Sequence, residues 1–122
     1  SKSAMKFAKI GNAVCYAKVG GKDYLYSIGG KGDNKRLNVC ERYSVIENKW
    51  EIMANMKVVR AAATACCFNQ QMIYCFGGFN GDNKIESMIE RYDINANQWS
   101  DVLLRNPSNF LPTIESSSVQ IN

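Results

Sequence analysis

The stretch Tyr24-Leu25-Tyr26-Ser27-Ile28-Gly29-Gly30 returns 48 residues later as Met72-Ile73-Tyr74-Cys75-Phe76-Gly77-Gly78. In both copies an apolar, β-prone run stops at a double glycine. Downstream, Gly32-Asp33-Asn34-Lys35 recurs letter for letter as Gly81-Asp82-Asn83-Lys84, Glu41-Arg42-Tyr43 recurs as Glu90-Arg91-Tyr92, and Trp50 recurs as Trp99, each 49 residues on. Four anchors in one order at nearly one offset define an internal repeat, and a period in this range signals an array of like supersecondary units. The single-residue change of offset falls in the loop after the double glycine.

Each copy reads as four short strands. In the first they cover Ala13–Lys18, Tyr24–Ile28, Val39–Val45 and Trp50–Met53, with a longer first hairpin through Gly20-Gly21-Lys22-Asp23. In the second they cover Ala61–Cys67, Met72–Phe76, Ser87–Ile94 and Gln98–Val102. Ala61–Cys67 is small and apolar, the composition of a buried inner strand. Asn69-Gln70-Gln71 and Asn95-Ala96-Asn97 are polar breaks suited to turns. No segment carries a helical period.

The anchors have physical reasons. Gly29-Gly30 and Gly77-Gly78 end a buried strand where backbones crowd and positive φ is needed. Tyr43, Trp50, Tyr92 and Trp99 supply large flat surfaces to fill the space between neighbouring sheets. Glu41 and Glu90 repeat with the architecture, which points to a structural role: a bond to Arg42 or Arg91, or to a backbone group.

Composition bounds the function. At 122 residues, 46% hydrophobic and 21% charged, the chain has the make-up of a globular domain or a piece of one. No apolar run approaches the ~20 residues of a membrane helix, and no signal-peptide order of segments is present. The five cysteines, Cys15, Cys40, Cys66, Cys67 and Cys75, form no C-x-x-C pair, and there is no histidine. They read as small buried hydrophobes in a reducing compartment, with no metal site. Each Gly-Asp-Asn loop offers one acid, too few for calcium. Residues 1–36 hold eight of the 15 Lys and Arg and two of the 11 acids. That basic third reads as a solvated lysine-rich face or as a surface for an acidic partner. It carries no aromatic-basic nucleic-acid motif.

A double glycine closing an apolar strand, then Glu-Arg-Tyr, then Trp, at a period near 50, resembles the kelch repeat. The lead-in Met56 and Arg60 before the second copy fits as well, and Met5 with Lys9 resembles it before the first. The resemblance implies an all-β fold: a kelch-type β-propeller fragment of two four-stranded antiparallel blades plus part of a third. Blade 1 is expected at 13–56 and blade 2 at 57–104. Residues 1–12 are then a lead-in or the end of a preceding blade. Residues 105–122 are a connection and the possible first strand of a third blade. Two blades cannot close a ring, so the remainder of the propeller, or neighbouring subunits, is expected to cover the outer faces.

The resemblance further implies a non-catalytic scaffold for a protein partner, cytoplasmic and in a cytoskeletal, ciliary or ubiquitin-ligase setting, with no cofactor, no membrane and no nucleic acid. The candidate contact residues are Lys31, Asp33, Asn34, Lys35 and Arg36 in one loop, and Phe79, Asn80, Asp82, Asn83 and Lys84 in the other. Phe79 reads either as an exposed anchor for a partner's pocket or as packing across the loop base. Some kelch adaptors grip acidic peptides with an arginine two positions past the lead-in Arg; that position here is Ala62. The rival class is a galactose-oxidase-like kelch enzyme, whose catalytic residues would have to lie outside this chain, because a copper site of that kind needs histidine.

Overall fold

The computed structural model describes residues 9–102; the expected connection and third-blade strand at 105–122 lie outside the described residues. The elements are β1 Ala13–Val19, β2 Lys22–Ile28, β3 Lys31–Gly32, β4 Lys35–Arg36, β5 Cys40–Ser44, β6 Lys49–Met53, β7 Thr64–Phe68, β8 Met72–Phe76, β9 Ile89–Asp93 and β10 Gln98–Val102. They form two four-stranded antiparallel meanders, in the orders β1-β2-β5-β6 and β7-β8-β9-β10, plus the small ribbon β3-β4. These are two propeller blades.

Two expectations are corrected. The β1-β2 hairpin is longer in its strands and not in its connection: Lys22 and Asp23 pair with Val19 and Lys18, leaving a two-residue turn, Gly20-Gly21. Both glycines have positive φ, 59° and 80°, the geometry whose twist matches a tight hairpin. The inner strand of the second blade begins at Thr64 rather than Ala61, and it is half exposed. Ala61 is drawn off instead into a bridge with Phe79.

Register explains the core. Cross-strand partners share a face, so Ala13, Ile28 and Cys40 line one side of the first sheet together with Tyr26 and Ala17. In the second sheet Ile73, Tyr92 and Trp99 are cross-strand partners, with Cys75 on the same side. These two faces pack on each other to make one core, joined by Met56 and Ile94. Tyr26 and Tyr92 meet across the seam with ring centroids 6.0 Å apart. Within each sheet the anchor aromatics pair the same way, Tyr43 on Trp50 at 5.3 Å and Tyr92 on Trp99 at 4.9 Å. Such tilted pairs add about 0.5–1.5 kcal/mol beyond area burial. The last turn of each blade is tied to its tyrosine: Tyr43 donates to Asn48 and Tyr92 to Asn97, and both asparagines sit at φ 54°. Asparagine is the side-chain-bearing residue that best tolerates that conformation. Asn97 also accepts from the Ala54 N–H at 2.9 Å, while Trp99 Nε1 donates to the Ala54 carbonyl at 2.8 Å, so the outer strand of blade 2 holds the exit of blade 1.

All five cysteines are free; Cys40 and Cys75 are buried in this packing and Cys15 is half-buried against it. Burial, reinforced at Cys15 by neighbouring thiols, pushes Cys15 and Cys40 from 9.0 to about 12 and Cys75 to about 11. The folded state therefore holds protons that the unfolded state releases above pH 9.0. The stabilisation is complete below that pH and is lost as pH climbs toward about 12. We expect the urea midpoint to fall across this window, and to fall less steeply in a Cys15→Ala/Cys40→Ala variant. Equal slopes in the two proteins would show that other groups govern alkaline unfolding.

Candidate functional site

The connections between the second and third strands of each blade lie side by side. The four-letter identity of the two loops does not carry through to their shape. In the first, Asp33 and Asn34 both have positive φ, 51° and 63°, and turn the β3-β4 ribbon in two residues. In the second, only Asn83 does, at 61°. The cause is one extra residue: a single position (Lys31) separates Gly30 from Gly32, but two (Phe79-Asn80) separate Gly78 from Gly81. The inserted Asn80 organises its own loop. Its Oδ1 accepts from the N–H groups of Asp82 at 2.9 Å and Lys84 at 3.2 Å, and its Nδ2 donates to Glu86 at 3.0 Å. Such side-chain capping is the usual service of asparagine in turns. Burial pushes the Glu86 carboxyl up, but the bonds from Asn80 and from the Met88 N–H outweigh this and hold it below its ordinary value.

Arg36 joins the loops. Its guanidinium donates to the Asn80 carbonyl at 3.0 Å and to Asn83 Oδ1 at 2.9 Å, and lies 5.8 Å from the centroid of the Phe79 ring. Arg36 and Asn80 are thus occupied within the fold rather than presented outward. Lys31, Asp33, Lys35, Asp82, Asn83 and Lys84 remain at the surface, and Asn34 with them. Phe79 bridges Ala61 and Ile85 through its backbone, and its side chain stays 41% exposed, as does most of Ile85. A cleft of about 370 Å³ between the loops is lined by Lys31, Asn34, Lys35, Arg36, Val59 and Gly81.

The segment leading into each blade fixes the base of this platform. Lys9 reaches Glu41 at 2.9 Å, and Arg60 reaches Glu90 at 2.8 Å, with both pairs fully buried. Each repeated glutamate thus pairs with the basic residue of the lead-in rather than with the adjacent Arg42 or Arg91, and Glu90 also takes the backbone partners expected of it. Arg60 Nη1 also donates to the carbonyls of Met88 at 2.9 Å and Gly77 at 3.3 Å. Glu90 in turn accepts from the N–H groups of Lys57 and Val58. Arg42 turns elsewhere, to Glu51 and the Tyr26 hydroxyl. Beyond Arg60 the lead-in runs past both double glycines: Gly30 N–H donates to the Arg60 carbonyl at 2.9 Å, and Phe79 N–H to the Ala61 carbonyl at 2.8 Å. Ala62, at the position of the adaptor arginine, has φ 60° and donates its N–H to Gly11. Among the described residues no group of three or more His, Cys, Asp and Glu is placed to hold a metal ion.

Sequence reasoning missed Arg36, Asn48 and Asn97 as organisers. For the two asparagines a signal was available, because they recur 49 residues apart like the anchors. No repeat flags Arg36: it acts between copies, not within one.

The comparisons with known proteins agree with this architecture. A family model described as the Kelch motif matches residues 13–57 and 60–102. Kelch-like protein 38 of Homo sapiens is 41% identical over 58 residues, which is 47% of this chain and 10% of that protein. The Mus musculus Kelch-like protein 38 is 38% identical over 58 residues, with the same coverage. The match thus spans about a tenth of the length of either relative. With most of its length matched by that motif, in two tandem copies that fold as two blades, the chain belongs to the Kelch-repeat family of β-propellers.

Proposed function

We propose that the chain belongs to a non-catalytic scaffold that binds another protein through the paired loops at 31–36 and 79–84, in the cytoplasm and within a cytoskeletal or ubiquitin-ligase assembly. The observation that carries this reading is the Arg36 bridge, which fastens two loops from separate blades into one exposed surface. Loops held on rigid sheets are where binding residues collect. A preordered surface also loses less conformational freedom on association than two independent loops would. Phe79, part exposed and backed by a guanidinium, is the residue with the chemistry of an anchor.

The test is a comparison. The immobilised chain and a Phe79→Ser/Lys35→Glu variant are exposed to the same cytoplasmic extract, and retained proteins are quantified side by side. Circular dichroism verifies that both carry the same sheet content. A protein retained by the parent and lost from the variant supports the reading. Identical profiles, or retention of small molecules alone, would remove it.

A further inference from the structure

Asn80-Gly81 is the only Asn-Gly pair in the chain. It lies at the centre of the loop that Arg36 clasps. With no side chain on Gly81, its main-chain nitrogen has the freest approach to the Asn80 side-chain carbonyl carbon. Gly81 is exposed to water. The Asn80 side chain, in contrast, is tethered at both ends, with Oδ1 on two main-chain N–H groups and Nδ2 on Glu86. Its main chain is tethered too. Asn80 N–H donates to the Lys84 carbonyl at 2.8 Å, and its own carbonyl accepts from the Asn83 N–H at 3.0 Å and from Arg36.

We propose that Asn80 is a latched deamidation site, whose conversion to aspartate or isoaspartate is held back by the Arg36 and Glu86 contacts and, once it occurs, permanently unfastens the loop surface. The chemistry needs only water. The Gly81 nitrogen forms a bond to Asn80 Cγ, the Cγ–Nδ2 bond breaks, and the Gly81 proton leaves with Nδ2 as ammonia. Water then adds across either C–N bond of the resulting succinimide. Opening on one side gives aspartate. Opening on the other gives isoaspartate, with one more carbon in the main chain.

The latch follows from geometry. Ring closure requires the side chain to turn away from the Asp82 and Lys84 N–H groups and from Glu86, so it proceeds from a locally opened loop, and its rate scales with the opened fraction. Irreversibility follows from charge. Asn80 now donates an N–H to Glu86 at 3.0 Å. An aspartate there offers no donor and faces an ionised carboxylate, and like charges that close repel. The isoaspartyl form lengthens a loop whose carbonyl must meet Arg36. Either product withdraws the support beneath Phe79.

The experiment compares the intact chain, Arg36→Ala, Glu86→Ala and a peptide of residues 77–88, all aged in mildly alkaline buffer. Peptide mapping by mass spectrometry and isoaspartyl chromatography reads conversion at Asn80, with Asn34 as the internal reference in the three proteins. Asn80 is expected to convert roughly tenfold more slowly in the intact chain than in the peptide, and several-fold faster in either variant, as the opened fraction rises. The sheet signal in circular dichroism must match among the three proteins, so that acceleration reflects the loop alone. Equal rates in chain and peptide, or variants no faster than the parent, overturn the proposal. The result is independent of whether the loops bind a partner.

Discussion

Replacing Glu90 with alanine is expected to cost about 3–5 kcal/mol, because it leaves a buried guanidinium without its counter-charge. Arg60 and Glu90 are both fully buried, 2.8 Å apart. Glu90 additionally holds the Lys57 and Val58 N–H groups, so the substitution strips acceptors from two backbone donors as well. A domain typically has about 5–15 kcal/mol in all, so the urea midpoint should collapse or no cooperative transition should remain. Arg60→Lys is the informative companion. The first blade shows that a lysine satisfies the same glutamate, since Lys9 meets Glu41 at 2.9 Å. A lysine at 60 keeps the charge but gives up the fork that reaches Met88 and Gly77. Its cost should be nearer 1–2 kcal/mol, about one or two hydrogen bonds. If Glu90→Ala proved milder than Arg60→Lys, the assignment of the pair as the lock of the blade would fail.

Gly78→Ala and Gly21→Ala form a matched experiment. Both glycines have φ 80°, so both substitutions carry the same left-handed penalty of about 1–2 kcal/mol. They differ in surroundings. A Cβ on Gly21 meets nothing within 4 Å among the described residues, whereas one on Gly78 lies 2.7 Å from the Ala61 carbonyl oxygen and 2.9 Å from Ala63 Cβ. Neither neighbour can rotate away, so relief requires moving the lead-in strand. Overpacking of this kind typically adds about 1–3 kcal/mol. We expect Gly21→Ala to be a mild variant and Gly78→Ala to be severely destabilised, and to lose the Ala61–Phe79 pairing that seats the loop. Chemical denaturation measures the first effect, and amide exchange at Phe79 the second. Equal denaturation midpoints for the two variants would mean that the chain yields at Gly78 without loss.

The strands and their meander order were legible because they rest on local signals: alternation, double glycine and turn residues, each repeated. The outer boundaries shifted by a residue or two for an equally local reason. Gly20-Gly21 can turn in two residues, so Lys22 and Asp23 were free to join the ladder. The start of β7 was misplaced because Ala61 has two competing partners, its own strand and Phe79, and sequence does not rank them. The loops were the least legible part. Gly-Asp-Asn-Lys is common to both copies, yet one inserted residue upstream changes which backbone groups can meet. The two candidate loops lie side by side, and hydrogen bonds between and within them occupy Arg36 and Asn80. That arrangement depends on contacts between blades, which no periodicity within a blade encodes.

The lead-in pairs also bear on how such repeats can be exchanged. Strand boundaries suggest cutting the chain at Ala13, yet a module cut there separates Glu41 from the Lys9 that meets it in the core. The interchangeable unit instead starts at the basic residue ahead of the first strand, Lys9 or Arg60, and ends after the tryptophan strand. A chimera joined on that boundary carries each buried charge with its counterpart. One joined at the first strand must borrow a cation from whatever sequence it is spliced to. Shuffling between propellers of this kind should therefore tolerate foreign loops far better than foreign lead-ins.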